Sequence, residues 1–171
     1  MMPVICIVGR SGTGKTTLLE KLIPELKRRG YRVAVVKHTD KEVEWDTPGK
    51  DSWRMAQAGS DSVLLCAGTR VMTTTRMNRL PDLEEVISYL VGDFDLVLVE
   101  GFHRTSLPRI EVHRRELCQP LTSDGVGLIA VVTDEQLDVD VPQLAWNDVE
   151  GVAELVSAKL LCRVPDAQPP P

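Results

Sequence analysis

The chain has 171 residues, 43% of them hydrophobic and 26% charged, and its twenty Lys and Arg against twenty-five Asp and Glu give a net charge of −5. These proportions are ordinary for a soluble globular protein, and a chain of this length buries roughly 68–70% of its unfolded surface, enough for one core without disulfides or metals. The acidic balance argues against sequence-independent nucleic-acid binding, which needs a surplus of cations, and no apolar run approaches the ~20 residues of a membrane span. The amino terminus, MMPVICIVGR, puts no basic region ahead of its apolar stretch and does not read as a secretory signal. A soluble, cytoplasmic, single-domain protein is expected. Cys6, Cys66, Cys118 and Cys162 form no CxxC pair and no zinc-finger spacing, so they read as buried thiols acting as small hydrophobes.

The predicted elements alternate from the start. Val4-Ile5-Cys6-Ile7-Val8 is a continuous apolar run ending at Gly9, the pattern of a strand buried on both faces. From Thr16 to Arg29 the residues Leu18, Leu19, Leu22, Ile23 and Leu26 recur at helical spacing, with Gly30 closing the helix and Pro24 kinking it. Arg32–Val36 reads as a strand, followed by a polar, turn-rich stretch from Lys37 to Lys50. A helix over Asp51–Ala58 precedes a strand at Ser62–Cys66, and Gly68 turns the chain into Arg70–Thr75, a hairpin partner. Asp82 opens a helix carrying Leu83, Val86, Ile87 and Leu90 on one face. Strands follow at Asp95–Val99, Pro108–His113 and Gly127–Val132, and a last helix from Asp148 to about Leu161 aligns Val149, Val152, Val156 and Leu160. This alternation predicts crossover connections and a three-layer α/β/α fold with a mainly parallel sheet and an antiparallel hairpin. The nucleotide-binding domain is expected to span residues 1–162, with a disordered proline-rich tail over 163–171.

Gly9-Arg10-Ser11-Gly12-Thr13-Gly14-Lys15-Thr16 matches G-x-x-x-x-G-K-[ST] between a predicted strand and a predicted helix. Glycines let the backbone wind tightly, so that successive N–H groups converge on phosphate oxygens at a helix N-terminus. Lys15 adds a point charge for the β- and γ-phosphates, and the Thr16 hydroxyl suits Mg²⁺. A match at four specified positions arises by chance in well under about one in a hundred chains of this length, so the loop predicts nucleoside triphosphate binding. Asp95-Leu96-Val97-Leu98-Val99-Glu100 puts a carboxylate at the carboxyl end of a buried strand, where open α/β sheets bind ligands. Glu100 is therefore the candidate acidic residue on the magnesium side, while Asp95 reads as solvent-facing or a cap.

In the stretch between Lys37 and Ser52, Glu42, Glu44 and Asp46 alternate and share one face when extended. Three readings fit them: Mg²⁺ coordination, directly or through water, orientation of an attacking water, or a solvated acidic edge. Asp46, nearest the Pro48-Gly49 turn, is the favoured functional member. His38 reads as a base or metal ligand or, more often for a lone histidine, as a hydrogen-bonding structural residue; His103 and His113 are weaker candidates.

With these residues in view, the chain resembles the molybdopterin-guanine dinucleotide biosynthesis protein B family, MobB. The resemblance is carried by GRSGTGKTTLLEKLIPELKRRG, by VVKHT with a spaced acidic loop, by DTPGKDSWRMAQAGS, and by DLVLVEGFHR with PRIEVHR downstream, together spanning most of residues 3–133. It implies a P-loop α/β domain of a dimeric GTPase class, similar to SIMIBI proteins. Proteins of this family look like GTP-binding accessory proteins with weak GTPase activity that assist a separate guanylyltransferase, MobA, in forming molybdopterin guanine dinucleotide. By this resemblance Gly12, Gly14, Lys15, Thr16 and Thr17 are nucleotide residues and Asp46 and Glu100 face magnesium; the loop motif itself adds Gly9, Ser11 and Thr13 to the nucleotide residues and Thr16 to the magnesium side, and Lys15, Asp46 and Glu100 are the candidates for any hydrolysis. It further implies a homodimer, with molybdopterin as a candidate ligand.

Two departures bear on these expectations. The loop carries Asp40, Lys41, Glu42 and Glu44 where histidine-rich versions occur in relatives, so histidine metal binding is not expected. There is no N-K-x-D guanine motif. Val131-Val132-Thr133-Asp134 follows a predicted strand, and Asp134 reads either as an acceptor for guanine N1 and N2 or as a turn cap. Arg10 reads as a phosphoryl-charge stabiliser or as a plain surface arginine. A small-molecule kinase would use the same P-loop but needs a lid and an acceptor pocket. A metallochaperone GTPase would want a Cys/His cluster near the loop, which the sequence does not place there.

Overall fold

The computed structural model describes residues 2–39, 41, 43–102 and 105–160. The expectations for Asp40, Glu42, His103, Cys162 and the proline-rich tail lie outside these residues, as does the side chain of Leu160. The elements in chain order are β1 (Val4–Val8), α1 (Lys15–Arg28), β2 (Val33–Lys37), α2 (Asp51–Gln57), β3 (Ser62–Ala67), β4 (Arg70–Thr75), α3 (Leu83–Ser88), β5 (Leu96–Glu100), β6 (Arg109–Val112), β7 (Leu128–Thr133), β8 (Gln143–Ala145) and α4 (Val149–Leu160). A short 3-10 turn, Arg115–Leu117, follows β6. The chain divides into two compact units, one of residues 1–38 and 87–171 and the other of residues 39–86.

The first unit is built on a six-stranded sheet of order β2-β5-β1-β6-β7-β8, in which every neighbouring pair is parallel. Parallel neighbours require crossovers, and these bring α1 and α4 together on one face. There Leu18, Leu19, Leu22 and Leu26 of α1 and Val152, Ala153 and Val156 of α4 share a core with Ile5, Ile7, Leu96, Leu98, Ile110 and Val132 of the sheet. Pro24 lies inside α1, and the helix continues to Arg28. On the alternate face Cys6, Val8, Val97 and Val99 are also buried, which is why β1 and β5 read as unbroken apolar runs rather than alternating ones. Burial pushes the Cys6 thiol up to about 11, against a smaller opposite pull from Arg109.

The second unit contains α2 and the antiparallel pair β3–β4, in which Leu64 faces Thr73 and Cys66 faces Val71. The helix α3 starts within it, with the Asp82 carboxylate accepting the Glu85 N–H at 2.9 Å in the manner of an N-cap. The expected hairpin is present, but the cysteine expectation needs correcting: Cys66 and Cys118 are exposed, and among the described cysteines only Cys6 is buried. Apolar β-branched runs predict a strand but not a covered one, and a two-stranded sheet leaves one face open. Among the described residues, no helix is long and apolar enough to cross a membrane.

Candidate nucleotide site

The loop between β1 and α1 leaves the sheet in the geometry that its glycines allow. Gly12 and Gly14 take φ 85° and 94° with open space where a Cβ would stand, forming a cradle of exposed backbone ahead of the helix. Gly14 is the N-cap of α1 in left-handed conformation, without a side-chain cap, so the first N–H groups of the helix are left for an anion. At Gly9 a Cβ would collide with the Val112 carbonyl of β6, so glycine is required by close packing as well as by conformation. Thr13 is buried, its hydroxyl donating to the Arg10 carbonyl at 3.0 Å, whereas Ser11 and Thr17 are exposed.

Lys15 folds back over its own loop, its Nζ donating to the carbonyls of Gly9 at 2.9 Å and Arg10 at 2.7 Å. Burial lowers its pKa; Glu100 pulls the other way, and Lys37 adds to the lowering. Glu100 ends β5 and is itself buried. Its two oxygens accept the Thr16 hydroxyl at 3.1 and 3.0 Å, and Lys37 Nζ stands 3.2 Å from Oε1. The alcohol and carboxylate expected on the magnesium side are thus brought together across 84 residues of sequence. Hard oxygen donors of this kind suit Mg²⁺, which commonly keeps several waters and takes one or two protein ligands. Among the described residues, no group of three or more His, Cys, Asp or Glu side chains is placed to hold a metal.

Lys37 was not singled out by sequence. The strand predicted to end at Val36 runs one residue further, and parallel register then sets Lys37 beside Glu100. His38 donates its N–H to the Glu100 carbonyl at 2.8 Å, and its ring packs, tilted, 4.4 Å from that of Phe102. Phe102 adopts φ 53°, an uncommon conformation for a bulky residue. Asp46 belongs to the other unit, where its carboxylate accepts the Thr47 N–H at 2.7 Å. Nearby, Glu44 accepts the Trp53 indole N–H at 2.8 Å.

Asp134 stands at the carboxyl end of β7, and its carboxylate is already engaged. Oδ1 accepts the Arg115 N–H at 2.9 Å, and Oδ2 accepts from Arg114 Nη1 at 3.2 Å. The Arg115 N–H is the largest influence holding this carboxyl below its usual range. This is the turn-capping role, with the cap reaching back to the 3-10 turn. Beside it lies a shallow, solvent-open recess lined by Thr133, Asp134, Glu135, Gln136, Gln143, Leu144 and Ala145. Its β8 wall was missed because three residues of mixed polarity carry no periodicity. Glu135 Oε1 is 2.7 Å from His113 Nε2, which makes His113 a buried structural histidine. Arg10 is exposed, with Nε donating to the Pro120 carbonyl at 3.4 Å.

A parallel sheet with a glycine-rich loop feeding its first helix, and an acidic residue ending the adjacent strand, defines a P-loop α/β protein. The model of the family described as molybdopterin guanine dinucleotide synthesis protein B, MobB, matches residues 4–134. The chain belongs to the MobB family. It is 41% identical over 160 residues to the molybdopterin-guanine dinucleotide biosynthesis adapter protein of Haemophilus influenzae, covering 91% of this chain and 88% of that one. It is 38% identical over 170 residues to the adapter protein of the same name from Escherichia coli, covering 91% and 92%. The crystal structure of Bacillus subtilis MobB superposes with a TM-score of 0.76 at 26% identity, over 93% of this chain and 98% of that one.

Proposed function

We propose that this chain is a cytoplasmic GTP-binding adapter of molybdopterin-guanine dinucleotide biosynthesis, working beside a MobA-type guanylyltransferase rather than as the transferase itself. The observation that carries this reading is the pairing of Thr16 with Glu100 under a glycine-rich loop, in a chain similar to proteins named as adapters over nine-tenths of its length. In this reading the backbone of Gly9, Ser11, Gly12, Thr13 and Gly14 cradles the phosphates, with Thr17 in the first turn of α1. Lys15 would leave its loop carbonyls for the β- and γ-phosphates, and Thr16 and Glu100 would hold Mg²⁺; Asp46, in the other unit, is the further magnesium-side candidate that the sequence offers. Bound Mg²⁺ supplies neutralisation of the charge that develops on the transferring phosphoryl group.

Hydrolysis would be slow. Lys15 would stabilise the γ-phosphate while Glu100, or the sequence candidate Asp46, would orient water, and among the described residues no arginine finger, worth about 10³–10⁵ in rate, is identified. The recess beside Asp134, at the carboxyl end of β7, would receive the base, with guanine N1 and N2 sharing Asp134 oxygens that already cap the 3-10 turn; the preference for GTP over ATP rests on the family. A homodimer is supported by apolar side chains left exposed on the hairpin, where Leu64 is 62% and Val71 65% exposed. Molybdopterin is the further ligand the reading allows.

The test is formation of molybdopterin guanine dinucleotide by the guanylyltransferase with this chain added. Wild type raises the yield or rate, and Lys15→Ala raises it much less. Equal product with and without the wild-type chain would overturn the adapter reading.

A further inference from the structure

We propose that Lys37 is a built-in counter-cation that competes with the divalent metal for Glu100, so that magnesium enters with the nucleotide rather than ahead of it. The inference rests on the nucleotide reading above and adds to it an order of loading. Parallel pairing of β2 and β5 places Lys37 opposite Glu100 in register, so both side chains leave the same face of the sheet. Lys37 Nζ lies 3.2 Å from Glu100 Oε1, on the carboxylate that also accepts the Thr16 hydroxyl.

A buried carboxylate is costly unless it is paired, and Lys37 provides that pairing. The two partners differ sharply in exposure: the Glu100 side chain is 11% exposed and that of Lys37 is 57% exposed. A long ammonium side chain with most of its surface in water can swing away at little cost. The Thr16 hydroxyl, in contrast, is fixed at the start of α1 and can keep donating to Glu100 while its lone pairs face a metal. Lys15 also lies close enough to feel both Glu100 and Lys37. One carboxylate paired with Lys37, with the Lys15 ammonium held on the adjoining loop, leaves the cluster positive, which repels a lone divalent cation. A magnesium–triphosphate complex carries net negative charge and reverses that sign. The polyphosphate can also receive the displaced ammonium.

The experiment measures Mn²⁺ binding, as a spin-active stand-in for Mg²⁺, to the full chain dialysed free of nucleotide. Wild type, Lys37→Met, Lys37→Arg and the double variant Lys37→Met with Glu100→Gln are compared by electron paramagnetic resonance. Lys37→Met is expected to bind Mn²⁺ about fivefold more tightly than wild type, the size of a fully expressed exposed ion pair. Lys37→Arg should behave as wild type, and the gain should vanish in the double variant. In a parallel GTP titration, Lys37→Met should reach half-saturation at a lower Mg²⁺ concentration. If Lys37→Met fails to fold, Lys37→Gln removes the charge while keeping a donor for Glu100. Unchanged Mn²⁺ affinity in a folded, charge-free variant would overturn the proposal, as would a gain that survives Glu100→Gln. Because the Mn²⁺ arm needs no nucleotide, absence of GTP binding in wild type would sink the nucleotide reading by a separate result.

Discussion

Glu111 stands on β6 with its side chain turned away from water, 2% exposed. Oε1 accepts the Thr122 N–H at 2.6 Å and its hydroxyl at 2.8 Å, and Oε2 accepts the Ser123 N–H at 2.9 Å. Burial alone would raise this carboxyl's pKa, but the Ser123 and Thr122 donors outweigh it and hold the group below its usual range. Its folded pKa is therefore depressed relative to the unfolded value of about 4.3. Its stabilisation is present above that value and is lost as pH falls through the folded pKa. Glu111→Gln turns an amide N–H₂ toward donors or leaves them unpaired, at a cost of about 2 kcal/mol. In urea unfolding, the difference between wild type and Glu111→Gln should be full above about pH 5 and should close as the pH falls below about 4. A difference independent of pH would mean that the carboxylate charge is not what holds the 122–123 segment.

At the scale of elements, the β3–β4 hairpin shows the largest contrast with the rest. The strands of the main sheet are largely buried, whereas Leu64, Leu65 and Val71 of the hairpin are 41–65% exposed. Two-stranded sheets are marginal in water by themselves, and exposed apolar strand faces mark interaction surfaces. If the hairpin is where two copies meet, wild type should run as a dimer in light scattering, and Leu64→Glu with Val71→Glu should run as a monomer. A wild-type monomer at tens of micromolar would remove the dimer from the proposal. The hairpin also marks how far sequence could reach. Its strands were legible from an apolar run before Gly68 and a β-branched run after it, but whether a face is covered depends on partners distant in sequence. The same limit hid Lys37, a charge at a strand end with no motif around it, and β8, too short for periodicity. By contrast, the P-loop and Glu100 were legible because each joins a local residue pattern to a strand end, and the pairing of Glu100 with Thr16 follows once β1 and β5 are neighbours.

For the whole molecule, the decisive feature is that all six strands of the main sheet run in the same direction. Their carboxyl ends therefore lie along one edge, and this edge carries the glycine-rich loop after β1, Lys37 at the end of β2, Glu100 at the end of β5 and Asp134 after β7. An acidic protein of net charge −5 thus concentrates Lys15 and Lys37 around a single carboxylate, a local field suited to an anionic ligand despite the overall sign. In the proposed function this edge binds a guanine nucleoside triphosphate with magnesium. Calorimetric titration with GTP and with ATP, each with Mg²⁺, on wild type and Lys15→Ala tests it most directly. GTP should bind, Lys15→Ala should abolish that binding, and ATP should bind about tenfold or more weaker, a difference of about 1.4 kcal/mol. ATP binding as tightly as GTP, or GTP binding unaffected by loss of the lysine, would contradict it.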